Sequence, residues 1–323
     1  MSSRICFHLP RHLFETFDPD GHTFYTVAKR AFEGRGVKCE VRIRIAHAGV
    51  AQYEPENFHF IHQGRITAPH ILNTGLAYVS PFWYADPDGV MSFSSLGAKP
   101  FDPACLSAPR VAQFYDRIVG QIRERGQSKY AQPDAGADLG AGAIAVFLQG
   151  PSEPVNAAQY MSEREMMQAV IAHKGGREVI VKHHPRNPEP KMVKWLAAQA
   201  ARDPSIRVVE AHVHDMLDAC AFSVSICSGA SFESLLMQKP TVLFGQTDFH
   251  HCGETVQNVD QVADAFKRAA IGVYPYREFI LWIWGRHCIN IRRAAFVDKV
   301  IQRMGARGFD VGRLGLSMDT SAK

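Results

Sequence analysis

Long apolar runs are missing from this 323-residue chain. The most apolar stretch, Phe279 to Trp284 ("FILWIW"), is six residues long and far too short to span a bilayer. The opening segment "MSSRICFHLPRHLFETF" contains no apolar core of secretory length, so the expected location is cytoplasmic. Paired cysteines are missing too. Cys6, Cys39, Cys105, Cys220, Cys227, Cys252 and Cys288 stand singly, without Cys-x-x-Cys spacing, and an odd count argues against a disulfide framework. The compartment read from them is reducing. A strong charge of either sign is absent: +4 overall suits anionic small ligands or a membrane surface and falls short of a nucleic-acid footprint, and no nucleic-acid-binding motif is found. Repeats and low-complexity tracts are lacking, and a glycine-rich loop opening a helix is lacking as well. The one "GRG", at Gly34 to Gly36, follows a helical pattern and reads as its stop, not as a phosphate loop.

What is present is the composition of a globular protein, 46% hydrophobic and 21% charged, at a length that accommodates two domains. The first half begins with a strand over Arg4 to Leu9, a helix over Thr23 to Glu33 and an alternating strand over Lys38 to Ile45. Composition changes at Gly126 to Ala143, a Gly-, Ala-, Asp- and Pro-rich stretch with few large apolar residues that reads as a linker. Beyond it strand and helix patterns alternate. Strands are expected over Ile144 to Leu148, Glu178 to Lys182, Ile206 to Val209, Phe222 to Ile226 and Thr241 to Phe244. Helices fall near Ser162 to His173, Lys191 to Arg202, Asp215 to Ala219 and Phe232 to Leu236. That succession is a doubly wound parallel sheet. Residues 276–308 read as helical, following the last unit without adding a strand. The division expected is an N-terminal Rossmann-like domain over 1–138, a nucleotide-binding Rossmann-like domain over 139–275, and a helical segment over 276–323 that crosses back to the first, with a cleft between the domains.

In a parallel sheet, ligands collect beyond the C-terminal ends of the strands, and three loops of the second half leave there. "VKHHPR" crowds Lys182, His183, His184 and Arg186 onto one loop, where Lys and Arg can clamp a phosphate and a histidine can hydrogen-bond a leaving oxygen; the alternative is a solvated basic loop. "FLQGPSEP" offers Gln149. "SICSGASFE" places Ser228, Gly229 and Ser231 at a helix N-terminus, where backbone N–H groups suit an anion, with Glu233 following. The pairs His183/His184, His212/His214 and His250/His251 hint at a metal, yet adjacent histidines on extended chain point to opposite sides and no further ligands complete a set, so no metal is expected. In the first half, Asp86 and Asp88 lie in Asp-Pro-Asp-Gly, which by itself is ordinary turn chemistry.

Taken in order, "SPFWYADPDGVMSFSS", "FLQGPSEP", "KHHPR", "HDMLDAC" and "SGASFESLLMQKPTVLFG" resemble the capsular-polysaccharide biosynthesis family that includes the retaining β-Kdo transferases, over roughly Thr74 to Val256. Asp86 stands where the family pattern has Glu before x-x-Gly-Val. The resemblance implies a GT-B glycosyltransferase that draws on a CMP sugar, CMP-Kdo for preference, as donor substrate, with no further cofactor, and a glycan or lipid-linked acceptor. It implies catalytic roles for Asp86, with Asp88 as substitute, and for His184. It implies nucleotide contacts from Gln149, Lys182, His184, Arg186, Ser228, Gly229, Ser231 and Glu233, the last toward ribose hydroxyls. Two other classes are weighed: a CDP-glycerol-type phosphotransferase, whose Thr-Asp-Tyr-Ser-Ser motif is not matched by "SICSGAS", and a non-catalytic nucleotide-binding partner of polysaccharide export. Arg277, Arg286, Arg292 and Arg293, interleaved with Phe279, Trp282 and Trp284, form either a membrane-surface helix or a packed helix with snorkelling arginines.

Overall fold

A computed structural model describes residues 3–317. The chain forms two compact units: one runs to Lys99 and resumes at Ile283, and the other is Pro100–Trp282. Each holds one six-stranded sheet.

The first unit contains β1 (Ile5–Leu9), β2 (Cys39–Ile43), β3 (Phe58–His62), β4 (Ile71–Leu76) and β5 (Phe82–Asp86). β2, β1, β3 and β4 lie side by side in parallel, and β5 joins β4 antiparallel. Alternation along β1 and β3 sends Phe7, Phe58 and Phe60 to one face, where Phe7 and Phe60 stack at 5.3 Å and the helix Phe24–Glu33 covers them with Phe24 and Phe32. That helix starts where Thr23 and Thr26 cap each other reciprocally. It ends at Gly34, and Gly36 turns the chain away with φ +80°, so "GRG" is the helix stop expected of it.

The C-terminal residues differ from the helical reading. After the helix Tyr276–Ile280 the chain makes a π-helical turn, Leu281–His287, and then Ile289–Asn290 pairs antiparallel with β5. A strand is therefore added, on the free side of β5, too short to leave any periodic signal. Trp284 stacks on Phe82 at 4.4 Å with rings 5° apart, and its indole N–H donates to Ala77 O at 3.0 Å. The helix Phe296–Ala306 then buries Val297, Val300, Ile301 and Met304 in the same core.

The second unit contains β6 (Ala143–Phe147), β7 (Val179–Lys182), β8 (Ile206–Val208), β9 (Cys220–Ser225), β10 (Thr241–Leu243) and β11 (Glu254–Thr255), parallel throughout in the order β11-β10-β9-β6-β7-β8. From β6 the chain steps outward to β7 and β8, then returns to β9 on β6's other side and proceeds outward again. The switch point thus falls between β6 and β9. Both faces are covered, which is why these strands read as near-continuous apolar runs.

The helix Ala108–Glu124 belongs to this unit, where the Tyr115 hydroxyl donates to Leu236 O at 2.6 Å. The stretch after it, read as a linker, is tied down: Gly136 N and Ala137 N donate to Asp215 Oδ2 at 2.8 and 3.1 Å, and Leu139 is buried. Its composition reports irregular backbone, which an aspartate on the neighbouring helix satisfies. Among the described residues no helix is long and apolar enough to cross a membrane.

Candidate functional site

The C-terminal edge of the second sheet is held together by polar contacts between loops. After β6, Gln149 N and Gly150 N donate to the Glu163 carboxylate, the second at 3.1 Å. Gln149 Oε1 in turn accepts from Cys227 N, just beyond β9, at 2.8 Å, while its Nε2 donates to Cys227 Sγ at 3.5 Å. Gln149 therefore clasps the two loops that part at the switch point. Gly150 sits at φ +66°, and a Cβ there would lie 1.9 Å from Asn187 O in the loop after β7. Asn187 Nδ2 also donates to Pro151 O at 2.8 Å. Three loops expected to converge do so, and the fit between two of them requires glycine.

On the β7 loop, Lys182 and His184 face different surroundings. Lys182 is buried and its Nζ donates to Ala211 O at 2.5 Å, with burial lowering its pKa; it braces the next loop instead of opening to a ligand. His184 Nδ1 accepts from Arg186 N at 3.2 Å. A neutral imidazole so held carries its proton on Nε2, which becomes a fixed donor. Burial lowers its pKa, and Lys129 and Arg186 push the same way, so neutral is the form that prevails near pH 7. The Tyr130 ring meets His184 edge to face at 5.1 Å, and the Arg186 guanidinium lies over that ring at 4.8 Å. Lys129 Nζ lies 5.4 Å from the ring centroid. Neither Lys129 nor Arg186 has a carboxylate partner among the described residues. Lys129 and Tyr130 were not legible as site residues, since they lie some fifty positions upstream in a stretch that reads as linker.

The helix Gly229–Leu236 is capped by Ser228, whose Oγ accepts from Ala230 N at 3.2 Å. Ser231 is buried and turned inward, 2.8 Å from Ser225 Oγ. Gly229 sits at the first helical position. Glu233 is only 2% exposed: Ser128 Oγ donates to its Oε1 at 2.8 Å, and its Oε2 lies 3.5 Å from His214 Nε2. Of the nucleotide residues read from sequence, His184 and Arg186 present donors on this edge, Ser228 and Gly229 form the helix start beside it, and Gln149, Lys182, Ser231 and Glu233 bond within the protein.

In the first unit, Asp86 ends β5 with both oxygens engaged. Oδ1 accepts from Asp88 N, Gly89 N and Ser95 N at 2.9, 3.2 and 2.9 Å, and Oδ2 accepts from Ser95 Oγ at 2.8 Å. Such a carboxylate organises its own turn. Asp88 is exposed, and among the described residues its one side-chain partner is Thr67 Oγ1 at 3.2 Å. The Arg303 guanidinium donates to Ala85 O at 2.9 Å and to His287 O, fastening the end of β5 to the π-helical turn.

No group of three or more His, Cys, Asp or Glu side chains among the described residues is arranged to hold a metal. The His250 and His251 rings do not diverge as on extended chain: they lie 4.2 Å apart, because the pair occupies a 3-10 turn. Phe279, Trp282 and Trp284 are 0%, 5% and 1% exposed, so the aromatics of the C-terminal segment pack inward and offer no face to a membrane.

Two parallel-rich α/β sheets, each wrapped by helices, define a two-unit Rossmann-like protein, as expected. Residues 155–272 match the family model described as capsule polysaccharide biosynthesis protein, so the resemblance read from the motifs is borne out over that stretch. The chain shares its fold with the β-Kdo 2,7 transferase of Thermosulfurimonas dismutans KpsC, at 12% identity and TM-score 0.52, covering 95% of this chain and 100% of that one. The β-Kdo 2,4 transferase of the same protein aligns at 15% identity and TM-score 0.48, covering 82% of this chain and 90% of that one. No curated protein matches the chain.

Proposed function

We propose that the chain is a retaining glycosyltransferase of capsule polysaccharide synthesis that transfers a sugar, Kdo for preference, from its CMP ester to a glycan acceptor. The observation that carries this reading is the group formed by Lys129, His184 and Arg186, cations and a fixed donor without a carboxylate partner among the described residues, on the C-terminal edge of a doubly wound sheet. Such an edge suits one phosphate. A CMP sugar carries one phosphate, and its transfer breaks the bond between the sugar and a phosphate oxygen, so CMP departs with the electron pair. Arg186 and the Nε2–H of His184 offset the charge that grows on that oxygen. A metal bridge is not needed for a single phosphate. The helix that begins at Gly229 starts on the same edge, with Ser228 N and Ala230 N already held by Ser225 Oγ and Ser228 Oγ.

Retention requires a carboxylate that attacks the sugar, or shields the oxocarbenium-like centre, from the face opposite CMP; an acceptor hydroxyl then attacks on the face CMP left, losing its proton as the carboxylate is released. The bonding of the two candidates favours Asp88, with Asp86 setting the turn that presents it. The test is a comparison of CMP-, UDP- and GDP-sugars for protection against thermal unfolding, followed by transfer assays with the protecting donor. Protection by CMP compounds together with sugar transfer supports the reading. CMP binding without transfer to any glycan identifies a non-catalytic nucleotide-binding partner, and protection by UDP or GDP sugars alone overturns the donor assignment.

A further inference from the structure

Of the segment Gly126–Tyr130, only the charge of Lys129 has entered the chemistry so far, without a task of its own. It leaves the helix Ala108–Glu124 and crosses the edge of the second sheet under two constraints. Gly126 O lies 3.2 Å from His212 Nε2, and His212 Nδ1 accepts from His214 N at 3.0 Å, so in its neutral form His212 holds its proton toward Gly126. Two residues on, Ser128 donates to the buried carboxylate of Glu233. A strand of irregular backbone that uses a buried acid as its anchor is placed, not loose, and what it places is the pair Lys129 and Tyr130. Their surroundings are electrostatically unfinished. The Lys129 ammonium and the Arg186 guanidinium lie against one tyrosine ring, 5.4 and 4.8 Å from its centroid, with the His184 imidazole edge-on to the ring at 5.1 Å. Cation–π attraction to Tyr130 offsets only part of the repulsion between two like charges.

We propose that Lys129 and Tyr130 are working parts of the anion site: Lys129 supplies a second positive charge to the bound phosphate, and Tyr130 is the positioning residue that holds Arg186 and His184 toward it. The identity of the ligand rests on the glycosyltransferase reading, but the site's need for a phosphate does not. Ser128 sets the register of both residues through Glu233. Ring area and not the phenol hydroxyl makes the contacts, so phenylalanine serves in place of Tyr130 and leucine does not.

The experiment uses the full chain with inorganic phosphate, CMP and cytidine as probes, read by calorimetry and by the ring resonances of His184, assigned with His184→Asn. Lys129, Arg186 and the Tyr130 ring are the groups that face this imidazole. Lys129→Met is expected to weaken phosphate and CMP about tenfold, the loss of one charge-assisted contact, while leaving cytidine unchanged. It should also raise the His184 pKa, because a neighbouring cation is gone. Tyr130→Leu is expected to weaken phosphate by a similar factor, and Tyr130→Phe to bind as the unmodified protein does. Unchanged phosphate affinity with an unmoved His184 titration in Lys129→Met overturns the proposal, as does failure of the unmodified protein to bind phosphate. Equal loss for cytidine would reduce Lys129 to a general structural role and overturns it too. If phosphate behaves as expected but CMP binds no more tightly than phosphate, the anion site stands and the CMP-sugar reading falls.

Discussion

The two units use their polar side chains in opposite ways. In the first, Asp86 satisfies four donors of its own turn, and Arg303 ties a carbonyl at the end of the same strand, that of Ala85, to the carbonyl of His287. In the second, Lys129, His184 and Arg186 converge on one ring with no carboxylate partner among the described residues. Polar groups bonded within the protein make a rigid frame; groups left without a counter-charge make a place for one. The contrast teaches that a conspicuous carboxylate in a sequence is a weaker guide to chemistry than an incomplete set of partners in the fold.

The largest expected effect separates the two aspartates. Asp88→Asn should lower sugar transfer roughly a thousandfold or more while leaving thermal stability within error, since the interaction lost lies on the reaction path. Asp86→Ala should instead cost about 1.5 to 3 kcal/mol of stability, because a charged acceptor leaves several donors behind. The reverse pattern, a stable and inactive Asp86 variant beside an active Asp88→Asn, would break the comparison. Next comes Trp284→Ala, which removes the stack on Phe82 and should cost about 3 to 5 kcal/mol in denaturant unfolding. Arg186→Ala should weaken CMP by about 1.5 to 3 kcal/mol, roughly ten- to hundredfold, without moving the unfolding midpoint.

A smaller effect belongs to acid. In the first unit burial pushes His8 down to about 3 and His59 to about 4, His8 further by its neighbour His59; burial, with Lys99, Arg303, Lys299 and Arg286 around it, pushes His287 to about 4. The unfolded chain takes up protons on these groups below its ordinary value near 6.5, whereas the folded unit does not until near 4. Stability therefore falls as pH drops through that window, by about 1.4 kcal/mol per pH unit for each histidine that stays neutral. Denaturant titrations at pH 6.5 and 5 should show this slope, and His59→Gln should flatten it. The smallest expected signal is in sedimentation with anionic vesicles: with Phe279, Trp282 and Trp284 buried, the protein should stay in the supernatant at low salt.

The second unit was legible because its inner strands are mostly apolar. Val179–Lys182 and Cys220–Ser225 announce themselves as short runs between helices, within a residue or two of where they form. The first unit was legible only at its start. β4 carries Asn73, Thr74 and Gly75 in its middle, all buried, and β5 ends in the aspartate that the turn needs, so neither shows a strand period. Ile289–Asn290 is too short to read at all. At the site, the basic loop after β7 pointed correctly to the edge, since Pro185 and the clustered charges mark a loop that leaves the sheet. Which of its members faces outward was not readable, because Lys182 differs from Arg186 in burial and not in type. Glu233 shows the same limit: one turn into a helix it looks available, and tertiary packing closes it over with Ser128 and His214.

Gly150 carries a consequence for how this edge tolerates change. With Asn187 O 1.9 Å from where a methyl would stand, the first carbon added at this position acts as a wedge between the β6 and β7 loops. The backbone of Gly150 also donates to Glu163, so the strain cannot be relieved by swinging the loop outward without breaking that bond. Gly150→Ala would thus spread the two loops without altering any charged or donor side chain, and His184 and Arg186 would move with the β7 loop. The position sets the spacing of the β6 and β7 loops, the second of which carries the proposed phosphate contacts, a mechanical stop that no comparison of charges along the chain would reveal.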